Sequence, residues 1–135
     1  MTRLFESVGQ GITRRWLMKA GLATSLVSLW SPPSEASQIG AALRRVFSRP
    51  ESARAVGAAV LRNRAGPVAA EDLLAELKQH RRALCDACGV VSRDRLAAML
   101  REASRDDFER GCTQIVDGWI LGRTEALVCA LVAVA

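Results

Sequence analysis

The chain has no tyrosine, a single histidine and few aromatics of any kind, three Trp and three Phe in 135 residues. Single-stranded nucleic acid is bound by stacking bases on aromatic platforms, and such platforms are scarce here. A Ser/His/Asp relay would have to run through His80, and no nucleophile-elbow motif accompanies it. His80 lies five residues before Cys85. That spacing is about 140° around a helix, so the two do not share a face, and His80 reads as solvated surface. A bilayer span needs about 20 apolar residues, and no run reaches that length. There is no internal repeat and no low-complexity tract.

Hydrophobic residues make up 50% of the chain, which excludes an extensively disordered protein. With so few aromatics the core must be built from Leu, Val and Ala, a composition that favours helices. The net charge is +5. Residues 1–36 contribute +2 of it and residues 37–135 contribute +3, with basic and acidic side chains interspersed. Nucleic-acid binding would need the basic groups gathered on one face, and no dense run exists. The expectation is no nucleic-acid partner. Asp106, Asp107 and Glu109 form an acidic cluster without the spacing of a calcium loop, and they read as a solvated face.

The first 36 residues have the three zones of a signal peptide. A basic stretch, Thr13-Arg14-Arg15-Trp16-Leu17-Met18-Lys19, precedes an uncharged run of 12 residues from Ala20 to Ser31. Pro32 and Pro33 break that run, and Ser34 and Ala36 supply the small residues of a cleavage site, placing the cut after Ala36. The run is too short for a stable transmembrane helix. A general secretory signal, a mitochondrial presequence and an ordinary amphipathic helix are the competing readings. Glu6 and the defined apolar run argue against the presequence.

The string resembles the twin-arginine (Tat) consensus: Ser or Thr, two Arg, any residue, two apolar residues and often Lys. Thr13, Arg14, Arg15, Leu17, Met18 and Lys19 fit it, with Leu17 where Phe is common. The resemblance implies export to the periplasm by the twin-arginine translocase, which reads the string as an address.

Residues 37–135 read as one all-α domain: a small helical bundle of about five helices, with a short turn or hairpin before the last. Ile39, Leu43, Val46 and Phe47 predict a helix over 38–48. Pro50 opens a second, which runs to about Arg64 before the Ala65-Gly66-Pro67 loop. Leu73, Leu74, Leu77 and Leu84 predict a long helix over 68–88, and Ser92 caps another over 93–109. Asp117-Gly118 between apolar triplets predicts a hairpin, the alternative being a tight turn, and Trp119 reads as a core plug rather than a binding platform. The last helix runs from Arg123 to Val134, where Glu125 is half of a capping box that Gly122 cannot complete.

Four cysteines, Cys85, Cys88, Cys112 and Cys129, allow three chemistries. A redox pair at Cys85-Asp86-Ala87-Cys88 would need a helix N-terminus to favour the thiolate, but the pair falls at a C-terminal end beside Asp86. An iron–sulfur or zinc site has ligand spacing only in the first pair. The set resembles small exported high-potential iron–sulfur carriers, but their final Cys follows Gly-Trp directly, whereas Cys129 comes ten residues after Trp119. Disulfides or buried thiols are the plainest reading, and for two disulfides the pairing stays open.

No catalytic motif stands out, so the expectation is a non-enzymatic protein without a bound cofactor. The layout of twin-arginine signal and small helical domain resembles the small subunits of exported membrane dehydrogenases for sugars and polyols. The stretch from Asp107-Phe108 to Trp119 carries part of that likeness. The resemblance implies an accessory subunit that accompanies a larger redox subunit. Two alternatives stand beside it: an electron-transfer or metal protein using the four Cys, and a stand-alone exported domain.

Overall fold

The computed structural model describes residues 31–135, so the motif residues Thr13, Arg14, Arg15, Leu17, Met18 and Lys19 lie outside the described residues. Ser34 begins the chain's first helix there. Its hydroxyl accepts from the Ser37 amide at 3.2 Å, the bond that an N-cap supplies to an otherwise unpaired donor. Helix α1 follows over Glu35–Arg44. Glu35 also holds Lys78 across the fold at 2.6 Å, and Ala36 is buried. The two residues expected at a cleavage site are therefore a helix cap and a core residue. One compact unit of the chain runs Ser34–Ala135.

Helix α1 starts earlier and stops sooner than its apolar stripe predicts. Val46 and Phe47 continue it only as a turn, donating to Leu43 and Arg44 three residues back. Pro50 keeps the segment from rejoining a helix at once: the residue before a proline is pushed out of the helical region, and Arg49 sits at φ −128°, ψ 85°. Val46 and Phe47 still pack against the core, so the stripe identifies burial correctly beyond the helix end.

Helix α2 spans Pro50–Arg62, α3 spans Ala70–Ala87 and α4 spans Arg93–Glu109. Ser92 caps α4 by accepting from the Arg95 amide at 3.2 Å. Strands β1 (Thr113–Val116) and β2 (Trp119–Gly122) pair antiparallel, and α5 runs over Arg123–Val134. Asp117 and Gly118 both have positive φ, 50° and 84°, as a two-residue type I′ turn requires. Among the described residues the fold is thus mostly helical, with five helices and one two-stranded sheet.

Helix α5 is the centre. Its residues from Ala126 to Val132 are all buried, and α1, α2, α3 and α4 each pack against it. A helix apolar all round must be enclosed, which is why this short element has no solvent face along that stretch. The α2–α5 contact is the most extensive. A Cβ on Gly57 would collide with the Cys129 carbonyl and lie 2.9 Å from the Ala133 Cβ, so the absence of a side chain sets the helix separation. No helix of the described residues is long and apolar enough to cross a membrane.

Candidate docking surface and the buried cluster beneath it

Asp107, expected on a solvated face, has no exposed surface at all. It sits in the last turn of α4, and its carboxylate gathers groups from two other helices. Arg81 donates to Oδ1 at 2.6 Å, His80 Nε2 meets the same oxygen at 2.8 Å, and the Thr124 amide donates to Oδ2 at 2.6 Å. Burial pushes the Asp107 carboxyl up. The hydrogen bonds from Thr124, Arg81 and His80 outweigh that and hold it at about 2. A carboxylate accepts only, so the His80 Nε2 carries the proton of that bond.

His80 is therefore part of a buried network and not solvated surface; its side chain is largely covered. No Ser, Thr or Cys side chain hydrogen-bonds to its ring among the described residues. Arg81 reaches further. It also bonds Asp106 at 2.7 Å, the Ala103 carbonyl at 3.2 Å and the Thr124 hydroxyl at 3.2 Å. Asp106 is held below its usual range, first by its hydrogen bond from Arg81. The predicted uninterrupted helix over 68–88 is broken at Arg81, whose φ −144°, ψ 65° are not helical. The break falls at the residue making four of these bonds, so the network offsets the backbone cost there.

The cluster completes a helix cap that the local sequence leaves open. Gly122 occupies the N-cap position of α5 and has no side chain to offer. Asp107 supplies the missing acceptor from another helix. A Cβ at Gly122 would stand 3.3 Å from the Asp107 Cβ and 3.4 Å from its Oδ2, so glycine is what lets the carboxylate approach. The hairpin base is tied to the same place: Cys112 donates to the Asp107 carbonyl at 2.8 Å, and Arg123 donates to the Cys112 carbonyl at 2.9 Å.

From this base the hairpin projects an apolar tip. The register pairs Val116 with Trp119 and Ile115 with Ile120. Period-two alternation puts Val116, Trp119 and Leu121 on one face and Ile115 and Ile120 on the other. Val116 is buried and Leu121 packs against the core. Ile115 is 74% exposed, Ile120 59% and Trp119 75%. Trp119 is not the expected core plug. It lies beside the turn, at the end of the ribbon farthest from the base, and Val116 and Leu121 cover the core instead. An exposed Ile115–Ile120 pair on one face and an exposed Trp119 on the other make the end of the ribbon a candidate contact surface.

The cysteines form no comparable site. Cys85 is buried in the last turn of α3, and Cys88 is its C-cap, with Sγ donating to the Leu84 carbonyl at 3.3 Å. Burial pushes both thiols up to about 11, and Asp86 adds to the effect at Cys85. Cys129 is a core residue of α5, pushed up to about 12 by burial. Cys112 is half-buried at the hairpin base, and all four are free thiols. Among the described residues no group of three or more His, Cys, Asp or Glu side chains is placed to hold a metal ion.

Comparison of the chain with protein-family models, curated proteins and solved structures found no match.

Proposed function

We propose that this chain is an exported accessory subunit: a small non-catalytic helical bundle, sent to the periplasm by the twin-arginine route, that docks on a larger redox enzyme. The observation that carries this reading is the apolar hairpin tip. Isolated exposed apolar residues are ordinary on any surface, but here Ile115 and Ile120 are cross-strand neighbours on one face of the ribbon, Trp119 stands exposed beside the turn on the other, and all three are carried on a fixed base. Aromatic residues in such positions are the usual anchors of protein interfaces. The string from Thr13 to Lys19 supplies the address.

Purification of the full chain from the periplasm of its host, with identification of whatever travels with it, tests the proposal. A flavoprotein or other redox subunit in one-to-one amount is expected, and Trp119→Ala is expected to release it. Recovery of the chain alone would point to a stand-alone domain. Bound iron with visible absorption would favour an electron carrier. Export that continues unchanged with Arg14→Lys and Arg15→Lys would remove the twin-arginine assignment. Mass spectrometry of the exported N-terminus locates the cut. A cut before Ser34 keeps the cap of α1, whereas one after Ala36 discards the cap, the Glu35–Lys78 pair and a buried residue.

A further inference from the structure

Between α2, the hairpin and the first turn of α5 lies a groove of about 470 Å3. That volume is in the range of sites that hold a ligand group, roughly 300–1,000 Å3. Val56, Ala59, Val116 and Leu121 make its walls apolar, and the exposed Trp119 stands among them. Three charged side chains also line it: Arg62, Asp117 and Glu125. Arg62 and Asp117 neutralise each other through a bond of 3.2 Å. Glu125 is left over. Half-buried, it has no ion pair or hydrogen bond among the described residues, and burial alone acts on its carboxyl, raising it. The groove thus carries, on an apolar wall, one carboxylate that no side chain neutralises. A carboxylate partly withdrawn from water is costly until a cation meets it.

The complementary group has an apolar stem and a cationic head that can pair with a carboxylate and lie against an aromatic ring. Arginine fits best, since its planar guanidinium binds carboxylates in a two-pronged manner and stacks on indole. We infer that this groove receives an arginine side chain of the partner protein, with its guanidinium on Glu125 and its stem against Val116, Leu121 and Trp119. The source of the arginine rests on the accessory-subunit reading; the chemistry of the groove does not.

The test uses the full chain with Trp16→Phe and Trp30→Phe, which leaves Trp119 as the only indole to report binding. Three probes are titrated: acetyl-Ala-Arg-Leu-amide, the same peptide with neutral citrulline for Arg, and butylguanidinium. The arginine peptide is expected to bind about tenfold or more tighter than the citrulline peptide, the worth of one charge-assisted bond. Glu125→Gln is expected to erase that preference. Equal binding of the two peptides, or a preference that survives Glu125→Gln, would overturn the inference. Arg62→Gln, at an exposed position, frees Asp117 and adds a second negative charge. It is expected to tighten the arginine peptide about threefold, and unchanged or weaker binding counts against the inference even if Glu125→Gln does not fold. Butylguanidinium binding as tightly as the arginine peptide would replace a partner side chain with a small free cation. An arginine preference without a co-purifying partner removes the accessory reading and leaves the groove. A co-purifying partner without that preference does the reverse.

Discussion

The two ends of the hairpin are built in opposite ways. At its base the groups are polar, bonded and centred on a fully covered carboxylate: Asp107 is enclosed by Arg81, His80 and the Thr124 amide, and the Cys112 amide ties the strand to the same residue. At its tip Trp119, Ile115 and Ile120 are apolar and exposed, and the turn beside them is tied to α2 by the exposed Arg62–Asp117 pair. A two-stranded ribbon is marginal by itself. Here α3, α4 and α5 all contribute to one buried carboxylate that fixes the base, so the tip can be presented without being packed. Rigidity and exposure are divided between the two ends.

The comparison breaks most severely at Asp107. Asp107→Ala leaves the Arg81 guanidinium, the His80 N–H and the Thr124 amide without their shared acceptor. The expected loss is about 3–5 kcal/mol in urea unfolding, the usual cost of removing one partner of a buried pair. A loss under about 1 kcal/mol would mean that the base is not held this way.

Acid should dissolve the same base. The Asp107 carboxyl lies at about 2 in the folded chain and near 3.9 when unfolded. Its contribution is complete above about pH 5 and is lost as the pH falls through about 2, and the difference amounts to about 2.6 kcal/mol. Unfolding midpoints measured from pH 5 to pH 2 should show this fall in the wild type and not in Asp107→Ala. Parallel curves for the two proteins would contradict it.

A smaller effect is expected at Gly122. Its φ of −64° is open to any residue, so Gly122→Ala acts only through the tight approach to Asp107 and Ser104. A loss of about 1 kcal/mol, with disturbed amide signals at Cys112 and Thr124, is the expected result. The smallest change in stability belongs to the tip. Trp119→Ala should stay within about 0.5 kcal/mol of the wild type, since its ring is exposed, while abolishing partner capture. A large loss of stability there would show that the tip is part of the core after all.

Much of this fold is legible along the chain. Ser92 and the apolar spacing over 93–109 mark α4, Asp117-Gly118 marks the turn, and the unbroken apolar stretch after Glu125 marks the enclosed helix. These signals are local: a cap, a turn residue and a periodicity act within one or two turns of chain. The buried cluster is not legible in the same way. Asp107, 26 residues from Arg81, looks like any acidic residue near a helix end. One signal did point toward it. Gly122 leaves a half-made capping box, and a helix start without its own cap needs an acceptor from elsewhere. Trp119 misleads for a related reason: alternation assigns it a face of the ribbon, but not how far along the ribbon the core reaches.

What the sequence alone determines, then, is which stretches are helical, which residue caps α4 and which residues turn the hairpin, because caps, turn dihedrals and apolar periodicity depend on near neighbours. The tertiary structure decides that His80 and Asp107 are interior partners, that α3 breaks at Arg81, that Trp119 stands outside and that Ser34 and Ala36 belong to the fold. Each of those outcomes depends on which groups from distant segments meet in a space closed to water, where an unpaired charge is costly and a paired one can outweigh local preference.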